Sequence, residues 1–199
     1  MKIMNKVAGY LNKYPRLTAV TVFAFVLAVF YFVWRDSVTV ERGLNGLPLF
    51  MMWGTVDVTS VFMPLIVWES DITCYVLRHI VGAEVSQAAN LLCHPDNGAC
   101  MSVVWDCTGL KQVLEFFFII LLFPSCHKHK LWYVPAGVAV LAVFNIFRLV
   151  LVFIAGSDGL EAMEMAHSSF KFLFNGLIFV LWLVWAEFVY RPHVVKRVS

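Results

Sequence analysis

Long apolar blocks alternate with short polar stretches along this chain, and several blocks have the length of a membrane crossing. Leu17 to Trp34 runs 18 residues without a charge. About 17–25 such residues in a helix cover a hydrocarbon core of about 30 Å, so this run predicts a spanning helix. Gly109 to Phe123 predicts a second, and Leu131 to Ile154 a third. Leu160 to Tyr190 predicts one long last helix, whose membrane part begins near Phe170. Leu47 to Gly82 is apolar in bulk but broken by Pro48, Gly54, Asp57, Pro64, Glu69, Asp71 and Arg78. It reads either as two short crossings or as helices lying in and on the outer leaflet, and either choice returns the chain to the same side.

Residues 83–106 are polar and follow a different pattern. Val85 to Leu92 and Met101 to Trp105 are strand-like runs on either side of Pro95-Asp96-Asn97-Gly98. Asn-Gly after Pro-Asp is a strong turn signal between strands. The expected fold is therefore an all-α integral membrane bundle with a small extracytoplasmic β-hairpin. It has about four clear transmembrane helices, or up to six if residues 47–82 cross twice. The chain, 1–199, is expected to form a single membrane domain. Its parts are an anchor helix and loop (1–46), membrane-associated helices (47–82), the hairpin (83–106) and a three-helix core (107–190).

Composition strengthens this picture. Hydrophobic residues make up 61% of the chain and charged residues 14%, with a mean hydropathy of +0.79. Soluble domains carry about 45–50% apolar and about 25% charged residues. No basic patch interleaved with aromatics points to nucleic acid, and no glycine-rich phosphate loop stands out. The bulky segment Phe30 to Trp34 is a poor cleavage site, so the first helix reads as a retained anchor rather than a signal peptide.

The placement of charge gives an orientation. Four Lys or Arg lie in residues 1–16, two in 124–130 and three in 191–197; together they are nine of the fifteen, and these segments hold no Asp or Glu. Lys and Arg mark cytoplasmic loops. The expected location is a multi-pass protein of the plasma (inner) membrane with both termini cytoplasmic. Cys107, the Gly156 turn and the start of the last helix then face the extracytoplasmic side.

Ionisable groups inside membrane segments are costly unless they meet partners in the bundle interior. Cys107, Lys111 and Glu115 fall at i, i+4 and i+8, on one helix face. Asn145 and Arg148 fall at i and i+3, and His167, Lys171 and Asn175 again at i, i+4 and i+8. Three such stripes satisfy one another by meeting. Arg148 lies about 26 Å along its helix from Leu131, near the outer edge of the core. Cys107 begins its helix at that edge, and His167 lies about one turn above the apolar part of the last helix. Taken singly, Cys107 reads as a small packing residue and Arg148 as a side chain snorkelling to headgroups. Taken together, a cysteine, a non-titrating cation and a histidine at one depth suit acyl transfer through a thioester. The thiol is the nucleophile, the guanidinium donates to an oxyanion, and the imidazole moves the proton.

Cys107-Thr108-Gly109-Leu110-Lys111, then Asn145-Ile146-Phe147-Arg148, then His167 resemble the exosortase/archaeosortase family of membrane transpeptidases, across residues 60–190. The family pattern is Cys-(Ser/Ala/Thr)-Gly, then Asn-x-x-Arg, then His, at the outer ends of successive membrane helices. The resemblance implies Cys107 as nucleophile, Arg148 as transition-state stabiliser and His167 as acid/base, with Thr108, Gly109, Lys111 and Asn145 in support. It implies a protein substrate bearing a C-terminal motif, a membrane helix and a basic end, and an acceptor at the cell surface. No cofactor and no metal is expected.

Cys93 and Cys100 flank the turn and form a disulfide candidate in an oxidising compartment; otherwise they are two free thiols. Cys126-His127-Lys128-His129 has too few ligands for a structural zinc site. Two other functions fit the same residues. One is a small transporter or channel subunit, with Lys111, Glu115, Lys171 and Asn175 lining a polar path. The other is a non-catalytic assembly factor for surface polysaccharide.

Overall fold

The computed structural model describes residues 15–34, 38–42, 48–123 and 127–190. Most of the basic segments used for orientation, 1–14, 124–126 and 191–199, lie outside the described residues, as does Cys126. Helix α1 (Pro15–Trp34) is followed by strands β1 (Val38–Arg42), β2 (Pro48–Trp53) and β3 (Val56–Asp57). Helix α2 (Thr59–Val76) continues as a wider turn, Leu77–Val81. Three short strands follow: β4 (Ser86–Ala88), β5 (Leu91–Cys93) and β6 (Cys100–Ser102). A 3-10 turn at Trp105–Cys107 leads into α3 (Leu110–Leu122), α4 (His127–Ala155) and α5 (Leu160–Val184), with a wider turn at Trp185–Tyr190.

The chain is mostly helical, but strands are more numerous than the pattern predicts. Residues 48–57 form two strands that pair with β1 in an antiparallel sheet, β1-β2-β3. The region expected as a simple hairpin is a second three-stranded antiparallel sheet, β4-β5-β6. Its extra strand arises because the run from Val85 to Leu92 doubles back at Ala89, whose φ is +53°. The Pro-Asp-Asn-Gly segment does turn the chain between β5 and β6. Gly98 N–H donates to the His94 carbonyl at 3.0 Å, and its φ of +68° suits glycine. Cys93 and Cys100 sit opposite each other across β5 and β6, joined by a disulfide.

Residues 59–81 form one continuous helix, so residues 47–82 do not cross twice. Glu69, Asp71 and Arg78 look like interruptions in sequence but have partners elsewhere in the fold. Asn145 donates to Glu69, Gln87 to Asp71, and Arg78 to the Val85 carbonyl. Pro64 lies inside this helix without ending it. Three helices are long and apolar enough to cross a membrane: Thr59–Val81, Lys128–Asp158 and Leu160–Val189. Helix α3 has 13 residues, about 20 Å of rise, short of a hydrocarbon core of about 30 Å.

Helix α4 starts at His127 rather than near Leu131, which brings Lys130 into the bundle. The Lys130 ammonium donates to the carbonyls of Leu121 and Phe123 at 2.7 and 2.6 Å. It thereby caps the end of α3, whose last carbonyls have no partner within the helix. Close packing joins α3 to α4 at Gly137, where a Cβ would run into the Phe116 ring. Small residues allow such approach between membrane helices, where dispersion and hydrogen bonding drive association. Tyr133 on α4 donates to the Leu181 carbonyl on α5 at 2.6 Å.

The second sheet is pinned to the turn between α4 and α5. His94 stacks on Phe153 and shares a 2.6 Å hydrogen bond with its carbonyl, and Asn97 donates to the Gly156 carbonyl at 2.9 Å. Arg148 lies seven residues before the end of α4 and His167 seven after the start of α5. Both are therefore about 10 Å below that turn, at one level.

Candidate functional site

Cys107 closes the 3-10 turn that follows β6, and its N–H donates to the Val104 carbonyl at 2.7 Å. The turn is held by Thr108, whose hydroxyl donates to the Trp105 carbonyl at 2.8 Å. Gly109 then starts α3 with a φ of +66°. A Cβ at Gly109 would lie 3.1 Å from Cγ of Asn145. The small residue is needed twice, for its backbone and for the approach of α4. Left-handed backbone costs a non-glycine residue about 1–2 kcal/mol. Gly109→Ala is therefore expected to lower the unfolding midpoint in detergent, and to displace Asn145 from Cys107. Thermal melting checks the first effect and thiol accessibility the second; a variant unchanged in both would remove Gly109 from the site.

Asn145 is the hub. It is 1% exposed, and its Nδ2 donates to the Cys107 carbonyl at 2.9 Å and to Oε2 of Glu69 at 3.1 Å. Its Oδ1 accepts a long bond of 3.5 Å from Nη1 of Arg148. Three elements, the 3-10 turn, α2 and α4, thus meet on one side-chain amide.

Arg148 is 2% exposed, and its Nε has no hydrogen-bond partner. Buried polar groups are nearly always paired, so an orphaned guanidinium donor calls for an explanation. It lies close enough to Cys107 for its charge to act on the thiol. Burial pushes the Cys107 thiol above its ordinary range. A Val104 backbone hydrogen bond and the Arg148 charge pull it back, while Asp106 and Glu69 push it further up. Desolvation is the largest of these effects and outweighs the pull of the nearby cation.

His167 is half-buried and within reach of the Arg148, Lys171 and Asp106 charges. No hydrogen bond joins it to Cys107 or Arg148 among the described residues. The polar stripes meet in two places. Arg148 and His167 approach the Cys107 end, while Lys111 and Glu115 line a cavity of about 260 Å³ with Asn175, Phe23 and Leu27. Lys171, which the pattern places inside, is exposed. Glu69 is the residue at the site that periodicity missed. Its one signal is that it is one of two carboxylates within the largely apolar run that became α2.

The fold and site define a helical membrane protein with a buried cysteine and arginine held together by one asparagine near one end of the bundle. Residues 4–186 match the transmembrane exosortase family, and the chain belongs to it. The match reaches well before residue 60, so it includes α1, the first sheet and the Glu69 helix. No curated protein and no solved structure matches the chain.

Proposed function

We propose that this protein is a membrane-embedded cysteine transpeptidase that cuts C-terminal sorting signals and transfers the shortened protein to an acceptor. The observation that supports this reading is the buried Arg148, whose Nε has no partner and whose charge reaches the Cys107 thiol. A guanidinium cannot give up its proton, so its free donor suits a negative charge that exists only during reaction. His167 takes the Cys107 proton as the sulfur attacks the scissile carbonyl carbon. The C–S bond forms, and the carbonyl oxygen becomes an anion facing Arg148. Collapse breaks the C–N bond, and the amine leaves with the proton from His167. The acceptor nucleophile then attacks the thioester and releases Cys107.

The protein belongs in the plasma membrane with its termini cytoplasmic and Cys107 extracytoplasmic, a reading supported by the Lys/Arg bias. That orientation requires α2 to begin and end on the outer side. Contacts of Phe62 with Trp105 and of Asp71 with Gln87 favour this, since both partners lie close to the Cys107 end. The substrate carries a short motif, a membrane helix and a basic end.

The test is interception of the thioester. Hydroxylamine added to cells co-expressing enzyme and substrate is expected to give a C-terminal hydroxamate on the shortened substrate, read by mass. A product mass unaffected by hydroxylamine, with cleavage continuing, would exclude a thioester.

A further inference from the structure

Glu69 on α2 is 5% exposed and sits against the Cys107 site with its Oε2 on Nδ2 of Asn145. We propose that Glu69 is a positioning residue: it sets the Asn145 amide so that the amide holds both Cys107 and Arg148. Oε2 of Glu69 accepts from the Asn145 NH2, whose second proton reaches the Cys107 carbonyl at 2.9 Å. The amide oxygen is left on the Arg148 side, where Nη1 donates to it. The reversed amide would put its oxygen against the Cys107 carbonyl and its NH2 against the Arg148 guanidinium, acceptor facing acceptor and donor facing donor in a buried space.

The same arrangement explains how Arg148 stays available. A carboxylate paired face to face with a guanidinium takes two of its donors. Here Asn145 bridges the two side chains, and Arg148 Nε keeps no partner. Glu69 is tied to Arg148 through the amide without occupying the donor that an oxyanion would use.

This inference rests on the proposed function for its turnover measurement but not for its second readout. Wild type, Glu69→Gln and Glu69→Ala are compared in cleavage of the co-expressed substrate. They are also compared in the rate of Cys107 alkylation in the purified protein, with the free buried Cys74 of α2 as internal reference. The glutamine side-chain oxygen still accepts from Asn145, so Glu69→Gln is expected within about 3-fold of wild type in both measurements. Glu69→Ala removes one of the three hydrogen bonds that hold the amide. Its turnover should fall about 10-fold or more, with KM unchanged. Its Cys107 should be alkylated about 5-fold faster as the turn loosens, with Cys74 unaltered. The proposal is overturned if Glu69→Ala matches wild type in alkylation. It is equally overturned if Glu69→Gln is as impaired as alanine, or if Cys74 and Cys107 open together, which marks general loosening. Absence of cleavage in wild type would instead sink the transpeptidase reading, and the alkylation rates would still decide the role of Glu69.

Discussion

Cys107→Ala is expected to leave the sorting signal uncut while the protein accumulates in the membrane at its normal level. The substitution removes one sulfur from a residue that is 6% exposed. The bonds that hold the turn run through the Cys107 main chain, from its N–H to Val104 and from Asn145 to its carbonyl. Both survive the change, so loss of cleavage reports chemistry rather than folding. Without sulfur there is no atom at this position to form the thioester, and no other residue at the site replaces it. The measurement is loss of the substrate's C-terminal tail, followed by mass in cells co-expressing enzyme and substrate. Full processing by the alanine variant would end the enzymatic reading and favour a channel or assembly role.

The second large effect is expected at Arg148. Arg148→Lys keeps a positive charge but replaces a planar fork by a point charge. In the wild type one nitrogen reaches Asn145 Oδ1 while Nε is buried and unpartnered. A lysine ammonium on a flexible stem cannot hold both positions at once. Burial also favours loss of its proton, which arginine resists. Removing one oxyanion donor costs about 10²–10³ in turnover, so cleavage should fall at least about 10²-fold. Thiol alkylation of Cys107 checks that the site is otherwise intact. Near-normal processing would reduce Arg148 to a structural charge.

The polar residues that gather around Asn145 and Cys107 stood out in the sequence because they interrupt apolar blocks. Cys107, Asn145, Arg148 and His167 were legible at helical spacing, and counting residues along α4 and α5 put Arg148 and His167 at one depth. The Pro-Asp-Asn-Gly turn was legible because its backbone demands are local. Residues 47–82 were not. Their prolines and charges read as breaks, yet strands form at one end and one unbroken helix at the other. The partners of Glu69 and Asp71 lie on segments distant in sequence.

The sequence by itself determined that the chain lives in a membrane, where its apolar blocks lie, and which polar residues they carry. Those properties follow from composition and period, which each segment holds alone. Only the tertiary structure decided that Glu69 reaches Asn145, that one amide joins Cys107 to Arg148, and that Arg148 keeps an unpaired donor. It also decided that burial pushes the Cys107 thiol above its ordinary range. A hydrogen-bond partner, a clash at Gly109 or the loss of water around a sulfur is a relation between segments up to 76 residues apart. Local sequence pattern carries no record of such a relation until the helices pack.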